Sequence, residues 1–291
     1  MRVAVFGASG TIGRPLGAEL AHSHDVVAIS RRTRPDAGAV EWRSADATDA
    51  DSVARVLDGA EVVYYLVHSL GRSDFEEQDL KAAETVAGEA ERAGVTQIVY
   101  LGGLGDESPE LSPHLRSRRE TGIGLASSSV PVTTLRAAMV VGRGSAAFET
   151  VVALVDRLPA MVAPRWVSTR TQPISLQDTV EYLAGVCGLK GALGAAFDIG
   201  GPEVMTYREM IERIGRLRAK RPVIVEVPVL TPYLSSLWLH LVTPVNARVA
   251  RPLIEGLRNE TIVRDDSIRQ LLPIELTSFE HAVEAAFAAD S

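Results

Sequence analysis

The sequence predicts an α/β fold in which a doubly wound parallel sheet carries a smaller C-terminal α/β lobe. The chain begins with a short apolar run, Arg2–Phe6, followed by three spaced glycines and a helical segment. Strand-like and helix-like segments then alternate as far as residue 141, which is the order of βαβ units in a Rossmann-type sheet. After Gly144 this rhythm changes. We therefore divide the chain into a Rossmann domain over 1–145 and a second lobe over 146–291, with about 172–200 returning to the first sheet.

The N-terminal strand and its glycine turn are the most informative stretch. Arg2–Phe6 is rich in β-branched residues, as are strands buried on both faces of a parallel sheet. Glycines follow at a G-x-x-G-x-x-G spacing, and 14–21 is predicted to be a helix. In such a unit Gly7 permits a tight turn, Gly10 lets the backbone approach a pyrophosphate, and Gly13 lets the helix pack on the strand. Since helix N-termini attract phosphate, this stretch predicts a dinucleotide site, the alternative being a structural loop.

Composition limits the classes of function. With 291 residues the chain is long enough for a nucleotide domain and a smaller lobe. Its 30 Lys and Arg against 37 Asp and Glu give a net charge of −7, which argues against nucleic acid as a partner. The single cysteine, Cys187, lies among apolar residues and is predicted to be a small core residue. We expect no internal disulfide, no signal peptide and a cytoplasmic location.

The end of the second strand bears on the type of dinucleotide. Asp25–Ser30 reads as a strand that runs into Arg31 and Arg32. An acidic residue in this region would bind the 2′-hydroxyl of NAD, but the nearest acid, Asp36, lies farther on in a proline-containing loop. Two guanidinium groups suit a 2′-phosphate. The sequence therefore favours NADP(H) over NAD(H), the alternative being a solvated basic turn.

The third strand, predicted over 40–43, is followed by two aspartates with different expected roles. Asp46, beside Ala47, is placed to hydrogen-bond the edge of an adenine ring. Asp49 is predicted to be the N-cap of a helix that extends through Leu57, because Asp is a favoured capping residue.

The fourth strand, predicted over 61–67, ends at Leu66 and Val67 and is followed by His68. Since the carboxyl ends of parallel strands border the ligand crevice, His68 is predicted either to contact cofactor or substrate or to cap the strand end. A long helix over 75–93 has one small apolar face. The fifth strand, over 96–101, opens into Gly102 and Gly103.

The rest of the chain gives shorter predicted elements. Helices are predicted over 112–127, 146–158, 178–187, 205–218, 232–241 and 278–288, and strands over 131–141, 172–176, 196–200 and 223–227. The apolar stretch 229–245 falls short of the roughly 20 apolar residues that span a bilayer. We predict that it is a buried helix, with a wall for an apolar substrate or a peripheral membrane contact as alternatives.

The order of these motifs resembles the short-chain dehydrogenase/reductase superfamily, and the length and C-terminal lobe are similar to its extended and atypical members. Three further motifs, YYLVHS at 64–69, LSPHLRSR at 111–118 and TQPI at 171–174, narrow the resemblance. They resemble a bacterial NAD(P)H-binding branch akin to NmrA-like proteins and to the nucleotide-binding accessory subunit of respiratory complex I. The resemblance covers nearly the whole chain, including GLRNE at 256–260.

The resemblance also identifies where this chain departs from catalytic members of the superfamily. Those enzymes use a Tyr-x-x-x-Lys pair after the fifth strand and a serine at that strand's end. In this sequence the tyrosine position is His114, the lysine position is Arg118, and the serine falls near Gly102. The two replacements are four residues apart and share a helix face. Histidine can transfer protons near neutral pH, whereas arginine stays charged and can still donate to a ribose.

These observations lead to one preferred function and two alternatives. The preferred one is an NAD(P)H-dependent oxidoreductase that transfers hydride to an apolar carbonyl or quinone-like substrate, with His114 and Arg118 as candidate catalytic residues. The alternatives are a non-catalytic NADP(H) redox sensor and a structural dinucleotide-binding protein of a larger complex. No metal site is predicted, and the oligomeric state is left open. The predicted cofactor-binding residues are Gly7, Ser9, Gly10, Thr11, Ile12, Gly13, Ser30, Arg31, Arg32, Asp46, Ala47, Leu66, Val67, His68, Gly102 and Arg118.

Overall fold

The computed structural model describes residues 1–36, 38–69, 74–105, 111–227 and 256–288. The apolar stretch 229–245, with its predicted helix over 232–241, lies outside the described residues. Within the described part of the chain, no helix is both long and apolar enough to cross a membrane.

Strands and helices alternate through the first half of the chain. The strands are β1 (Arg2–Phe6), β2 (Asp25–Ser30), β3 (Val40–Ser44), β4 (Val62–Tyr65), β5 (Gln97–Gly103), β6 (Val132–Ala137), β7 (Val140–Val141), β8 (Ala160–Pro164), β9 (Arg170–Thr171), β10 (Ile174–Ser175), β11 (Ala196–Ile199), β12 (Met205–Thr206) and β13 (Val223–Val227). The helices are α1 (Gly13–Leu20), α2 (Ala50–Val56), α3 (Phe75–Arg92), α4 (Pro113–Leu125), α5 (Ala146–Arg157), α6 (Leu176–Gly185), α7 (Tyr207–Leu217), α8 (Ile268–Leu271) and α9 (Phe279–Ala288).

Seven of the strands form one parallel sheet in the order β11-β6-β5-β4-β1-β2-β3. The order reverses at β1, which pairs with β2 on one side and with β4 on the other. In a doubly wound sheet, ligands bind outside the carboxyl ends of the strands at this reversal. The predicted fold class, a Rossmann-like α/β sheet, is confirmed.

Both faces of the central sheet are buried, as the apolar runs of its strands predict. Along β1, Val3 and Val5 enter the core on one face, where α1 packs beside α6. Ala4 and Phe6 enter the core on the other face, which α2 and α3 cover. Since successive side chains of a strand point to opposite faces, a strand with this burial is apolar throughout.

A separate core lies in the C-terminal part of the chain. Leu154 of α5, Ile211 of α7 and Val283 of α9 are buried together in it. Two short parallel strands, β8 and β13, pair beside this core. The segment 196–200, which was expected to return to the Rossmann sheet, forms β11 and pairs with β6.

After residue 130 the structure contains short elements that the sequence did not predict, among them β9, β12 and α8, and two further strands differ from the prediction. The single strand expected over 131–141 is two strands, because the chain leaves the central sheet after Ala137 and pairs at Val140–Val141 with β10 instead. The strand β8 was missed, since Pro164 at its end favoured a loop. By contrast, Asp49 caps α2 as predicted, and its carboxylate accepts hydrogen bonds from the amides of Asp51 and Ser52.

Candidate active site

A large cleft opens at the carboxyl ends of the central strands, next to the reversal at β1. Its volume is about 450 Å³, and most of its wall is apolar. The cleft begins at the glycine turn, passes His68 and His114, and reaches Leu154 and Ile211 of the C-terminal core. The same cavity therefore connects the predicted dinucleotide site with the second lobe.

The three glycines of the turn have different surroundings. Gly7 has a φ of +82°, and a Cβ on it would lie 2.8 Å from the carbonyl oxygen of Leu66. A Cβ on Gly13 would collide with the backbone of Gly7 and Ala8. Gly10 is exposed, and a Cβ there would lie 3.2 Å from the Gly7 carbonyl oxygen. Gly7 and Gly13 are thus required by the fold, whereas Gly10 faces the cleft.

The start of α1 offers donors to an anion. Among the described residues, no backbone hydrogen bond uses the amide of Thr11 or Ile12, and free amides at a helix N-terminus attract phosphate. The Thr11 hydroxyl donates to the carbonyl of Gly144 at 2.8 Å, which ties the turn to the segment before α5. With Ser9 beside them on the same turn, these groups and the open face of Gly10 fit a pyrophosphate.

The basic end of β2 is exposed. The side chains of Arg31 and Arg32 are exposed, and within the described parts of the chain neither guanidinium forms an ion pair. Ser30 is buried, and its hydroxyl donates to the Arg32 carbonyl at 2.7 Å. The carboxylate of Asp36 accepts a 2.7 Å hydrogen bond from the amide of Trp42. The nearest acid therefore holds the loop after β2 instead of facing a ribose.

Asp46 lies after β3 with one carboxylate oxygen occupied. That oxygen accepts hydrogen bonds from the amide of Thr48 at 2.9 Å and from its hydroxyl at 2.8 Å. These two bonds are the main cause of a lowered pKa at Asp46, and Arg31 adds to the shift. Ala47 is buried in the core. Asp46 is exposed and stays ionised, with its second oxygen available to a ligand.

His68 lies at the carboxyl end of β4 and faces the cleft. Leu66 and His68 line the cleft, while Val67 packs against the core on the other side. The Nδ1 atom of His68 lies 2.9 Å from Oδ2 of Asp79, whose side chain is only 1% exposed. Nε2 of His68 is buried, and no hydrogen-bond partner for it lies among the described residues. His68 is thus fixed at the strand end, and its contact with a cofactor or substrate stays a prediction.

His114 and Arg118 line the cleft on the same face of α4, as their spacing predicts. The His114 ring lies 5.1 Å from the His68 ring, centroid to centroid, and its buried Nδ1 has no hydrogen-bond partner. The guanidinium of Arg118 donates to the Leu101 carbonyl and stacks 4.9 Å from the centre of the Tyr100 ring. Part of the donor capacity expected for a ribose is therefore used within the protein.

Electrostatics make both histidines neutral near pH 7. Burial is the largest cause of a pKa well below the ordinary value at His114, and the charges of His68 and Arg118 add to it. Burial also lowers the pKa of His68, although the hydrogen bond between His68 and the Asp79 carboxylate opposes this shift. The expectation that His114 titrates near neutral pH is therefore replaced by a neutral imidazole that donates or accepts hydrogen bonds.

Two features near these histidines were not predicted from the sequence. Asp79 was not identified from the sequence. It lies on the same helix face as Ala83 and Ala90, and an acidic residue on this buried apolar face of α3 was the signal that could have identified it. Trp166 lines the far part of the cleft and packs edge-on against Tyr207. Its indole N–H is buried, and no partner for it lies among the described residues. Within the described residues, no cluster of His, Cys, Asp and Glu could hold a metal.

The glycines after β5 shape the floor between these groups. Gly103 lines the cleft, and a Cβ on it would lie 3.2 Å from a methyl of Leu115. Gly102 is buried beside Tyr100 and Arg136. The position where related enzymes have a serine hydroxyl thus offers only backbone groups.

Comparison with known proteins agrees with this geometry. Residues 7–140 match a family model described as NAD(P)H-binding. The mitochondrial NADH dehydrogenase (ubiquinone) 1 alpha subcomplex subunit 9 of Arabidopsis thaliana is 24% identical over 304 residues, covering 94% of this chain and 75% of that protein.

Solved structures show the same fold at low sequence identity. An NADPH-dependent quinone oxidoreductase of Escherichia coli, complexed with NADPH, has a TM-score of 0.79 at 18% identity and covers 99% of this chain and 100% of that chain. A Citrobacter sp. triphenylmethane reductase complexed with NADP(H) has a TM-score of 0.76 at 19% identity, with 98% and 100% coverage. Residues 7–140 therefore resemble an NAD(P)H-binding domain, and the chain has the Rossmann-like fold of these reductases, as its motifs predict.

Proposed function

We propose that this protein is an NADPH-dependent oxidoreductase that reduces an apolar carbonyl or quinone-like compound. The observation that carries the proposal is the continuity of the cleft. One cavity begins at Gly10 and Thr11, passes the free ring nitrogens of His68 and His114, and ends among apolar side chains of the C-terminal core. Ligand sites of this kind are mostly apolar with a few polar groups that fix orientation.

Preference for NADP(H) over NAD(H) is supported by the surroundings of β2. Arg31 and Arg32 are exposed and lack acidic partners in the described structure. Asp36 is engaged by the amide of Trp42 at 2.7 Å. Guanidinium groups bind phosphate through charge-assisted, bidentate hydrogen bonds, and among the described residues neither guanidinium is held in an ion pair.

The residues of the cleft suit hydride transfer without a tyrosine. When bound, the nicotinamide supplies a hydride. The amides of the glycine turn hold the pyrophosphate, and Arg118 lies beside the floor formed by Gly103. His114, which is neutral, directs an N–H towards the substrate oxygen, and a proton from the histidine site or from solvent completes the reduction. The apolar wall around Leu154 limits the access of water.

The neutral state of His114 has a consequence for substrate class. An alkoxide formed from an aldehyde needs a strong proton donor in the site, whereas a reduced quinone is more acidic and can take its proton from solvent. A site without the Tyr and Lys pair therefore suits quinone-like acceptors better than simple aldehydes. The similarity in fold to an NADPH-dependent quinone oxidoreductase agrees with this choice.

The test is consumption of NADPH by the purified protein with 1,4-naphthoquinone and with an apolar aldehyde, each repeated with NADH. We expect turnover with the quinone, slower turnover with the aldehyde, and a lower KM for NADPH than for NADH. The Gly10→Val variant serves as the control for turnover outside the cleft. If the protein binds NADPH but reduces neither acceptor, the proposal is wrong.

A second function is favoured by two specific observations. The catalytic Tyr and Lys positions are His114 and Arg118, and the chain is 24% identical to a plant protein named as a complex I subunit. A non-catalytic NADP(H) sensor or a structural subunit, including one in peripheral contact with a membrane, needs no proton donor. Affinity capture from a cell extract with and without NADPH separates these alternatives, because a sensor changes partners with the dinucleotide and a structural subunit does not. A cytoplasmic location remains part of the proposal.

A further inference from the structure

A buried carboxylate lies behind His68 and receives several hydrogen bonds. Oδ2 of Asp79 lies 2.9 Å from Nδ1 of His68 and 3.3 Å from the hydroxyl of Ser117. Oδ1 accepts a 3.0 Å hydrogen bond from the amide of Ser69. The Ser69 amide and the Ser117 hydroxyl thus use as their acceptor a side chain that is 1% exposed. The His68 ring contacts the same carboxylate.

This arrangement fixes the tautomer of His68. A carboxylate can only accept, so that Nδ1 must carry the hydrogen of the 2.9 Å contact. The neutral ring then has its lone pair on Nε2, which is buried and without a partner. The cleft passes this ring. His68 therefore presents an acceptor, and not a donor, to a ligand in the cleft.

His114 lies next to His68, with the two ring centroids 5.1 Å apart. Its Nδ1 is also buried, and no partner for it lies among the described residues. Buried polar atoms are rarely left without a partner in folded proteins. The two nitrogens are therefore positioned for a polar ligand atom or an ordered water in the cleft.

We propose that His68 is the proton-transferring residue of this cleft, with Asp79 as the positioning residue that holds it in the Nδ1–H tautomer and His114 as the neighbouring hydrogen-bond donor. This inference rests on the proposed function for the identity of the reaction. It assigns proton transfer to His68, at the end of β4, instead of to His114, which occupies the position of the superfamily tyrosine. Neither the family model nor the motif comparison points to Asp79.

The proton balance of the reductive step follows from these roles. With an aldehyde, the carbonyl carbon gains the hydride and its oxygen takes the electron pair of the former carbonyl bond. With a quinone, the hydride supplies two electrons and one hydrogen, so that one oxygen ends as an O–H and the other as a phenolate that takes the proton. Nε2 of His68, protonated from solvent, gives one proton to that oxygen and regains its lone pair. Asp79 accepts the hydrogen of Nδ1 throughout and stabilises the transient imidazolium. In the oxidative direction the same Nε2 accepts the proton of an alcohol or hydroquinone.

The charged and titratable groups around His68 agree with this role. Asp79 approaches from α3, and His114 and Arg118 approach from α4. Tyr65, below Asp79, stays protonated because burial raises its pKa far above the ordinary value. Burial lowers the pKa of His68 and the charge of Arg118 adds to this, while the hydrogen bond to Asp79 and the charge of Asp79 oppose it. The carboxylate is therefore the group that allows His68 to accept a proton in a buried site.

The test is the tautomer of His68, read from nitrogen–hydrogen correlation spectra of protein labelled with ¹⁵N-histidine. The His68→Gln variant identifies the His68 signals. We expect a protonated Nδ1 and an unprotonated Nε2 in the unmodified protein. In Asp79→Asn, the amide N–H donates to Nδ1 and should reverse the tautomer. Asp178→Asn is the matched control, because Asp178 is 1% exposed, accepts from Thr277 and lies outside the cleft.

A kinetic measurement distinguishes this inference from the proposed function. With NADPH and 1,4-naphthoquinone, His68→Gln and Asp79→Asn should lower kcat by about 10²-fold or more, within the usual range for acid–base catalysis. Unchanged turnover in His68→Gln, or a protonated Nε2 in the unmodified protein, overturns the inference. Absence of turnover in the unmodified protein contradicts the proposed function alone, since an Nδ1–H tautomer that Asp79→Asn reverses still supports the assignment of His68 as the cleft's proton acceptor.

Discussion

The two ends of the cleft are built in different ways. At the glycine turn, one continuous segment of seven residues, 7–13, supplies backbone groups. Its function depends on the absence of side chains at the three glycines. At the histidine end, side chains from three separate segments meet: His68 after β4, Asp79 in α3 and His114 in α4. The first end is thus sensitive to added atoms and the second to the loss or reorientation of a side chain.

This difference determines how each end can be perturbed. A glycine that faces the cleft can be substituted without disturbing the protein core, so that a variant can lose dinucleotide binding and still fold. At the histidine end, a variant can lose catalysis and still bind the pyrophosphate, because the backbone of the glycine turn holds that group. Four predictions use these separations, from the largest expected effect to the smallest.

The largest effect is expected from Gly10→Val. The side chain would occupy the space that a pyrophosphate needs, while its Cβ would lie 3.2 Å from the nearest protein atom, the Gly7 carbonyl oxygen. Calorimetry should show loss of NADPH binding by about 100-fold or more, which corresponds to roughly 2.7 kcal/mol. Gly17→Ala in α1 is the control, because no atom lies within 4 Å of its new Cβ. Normal NADPH binding by a folded Gly10→Val protein would mean that the turn serves structure alone.

Replacing Arg31 or Arg32 by alanine tests the choice of dinucleotide. Both are exposed at the end of β2, and loss of a hydrogen bond to a charged group costs roughly 1.5–3 kcal/mol. We expect weaker binding of NADP(H) and little change for NAD(H), measured by calorimetry at one salt concentration. Arg14→Ala, an exposed arginine of α1, controls for general loss of positive charge. Equal affinities of the unmodified protein for the two dinucleotides would contradict the assignment.

His114→Ala tests the reacting end with a smaller effect. The variant removes a neutral hydrogen-bond donor, and we expect kcat with 1,4-naphthoquinone to fall about tenfold, at the lower end of acid–base contributions or below. NADPH affinity should not change. Since the pKa of His114 lies well below its ordinary value, the rate should not follow a His114 titration near pH 7. If the rates with quinone and aldehyde are both unaltered, His114 only lines the cleft.

The smallest effect concerns stability at acid pH. The pKa values of His68 and His114 are lower in the folded protein than their ordinary values, so the unfolded chain binds more protons once the pH falls below that ordinary value. Stability should be full above about pH 6.5 and should decline towards about pH 5. Urea unfolding at these two pH values should show a shallower loss for His114→Gln than for the unmodified protein. His24 is shifted in the same direction, which makes the difference between proteins the informative quantity.

The sequence determined the glycine end of the cleft almost completely. The apolar run of β1, the spacing of Gly7, Gly10 and Gly13, and the basic end of β2 are local features, because neighbouring residues impose the turn and the strand. Chain order then predicted the parallel sheet, since right-handed βαβ connections leave few alternatives. The cap at Asp49 was predictable for the same reason, as it depends on amides two and three residues away.

Only the tertiary structure decided the histidine end. His68 and His114 are far apart in sequence. Their ring centroids lie 5.1 Å apart because His68 follows β4, and the adjacent strand β5 precedes the helix that carries His114. The pairing of His68 with Asp79 depends on how deeply α3 packs on the sheet, which no spacing rule gives. Burial also changed the chemistry, because desolvation keeps both histidines neutral. The residue types in the sequence therefore identified His68 and His114 as candidates, and the packed structure showed which nitrogen atom of each ring lacks a partner among the described residues.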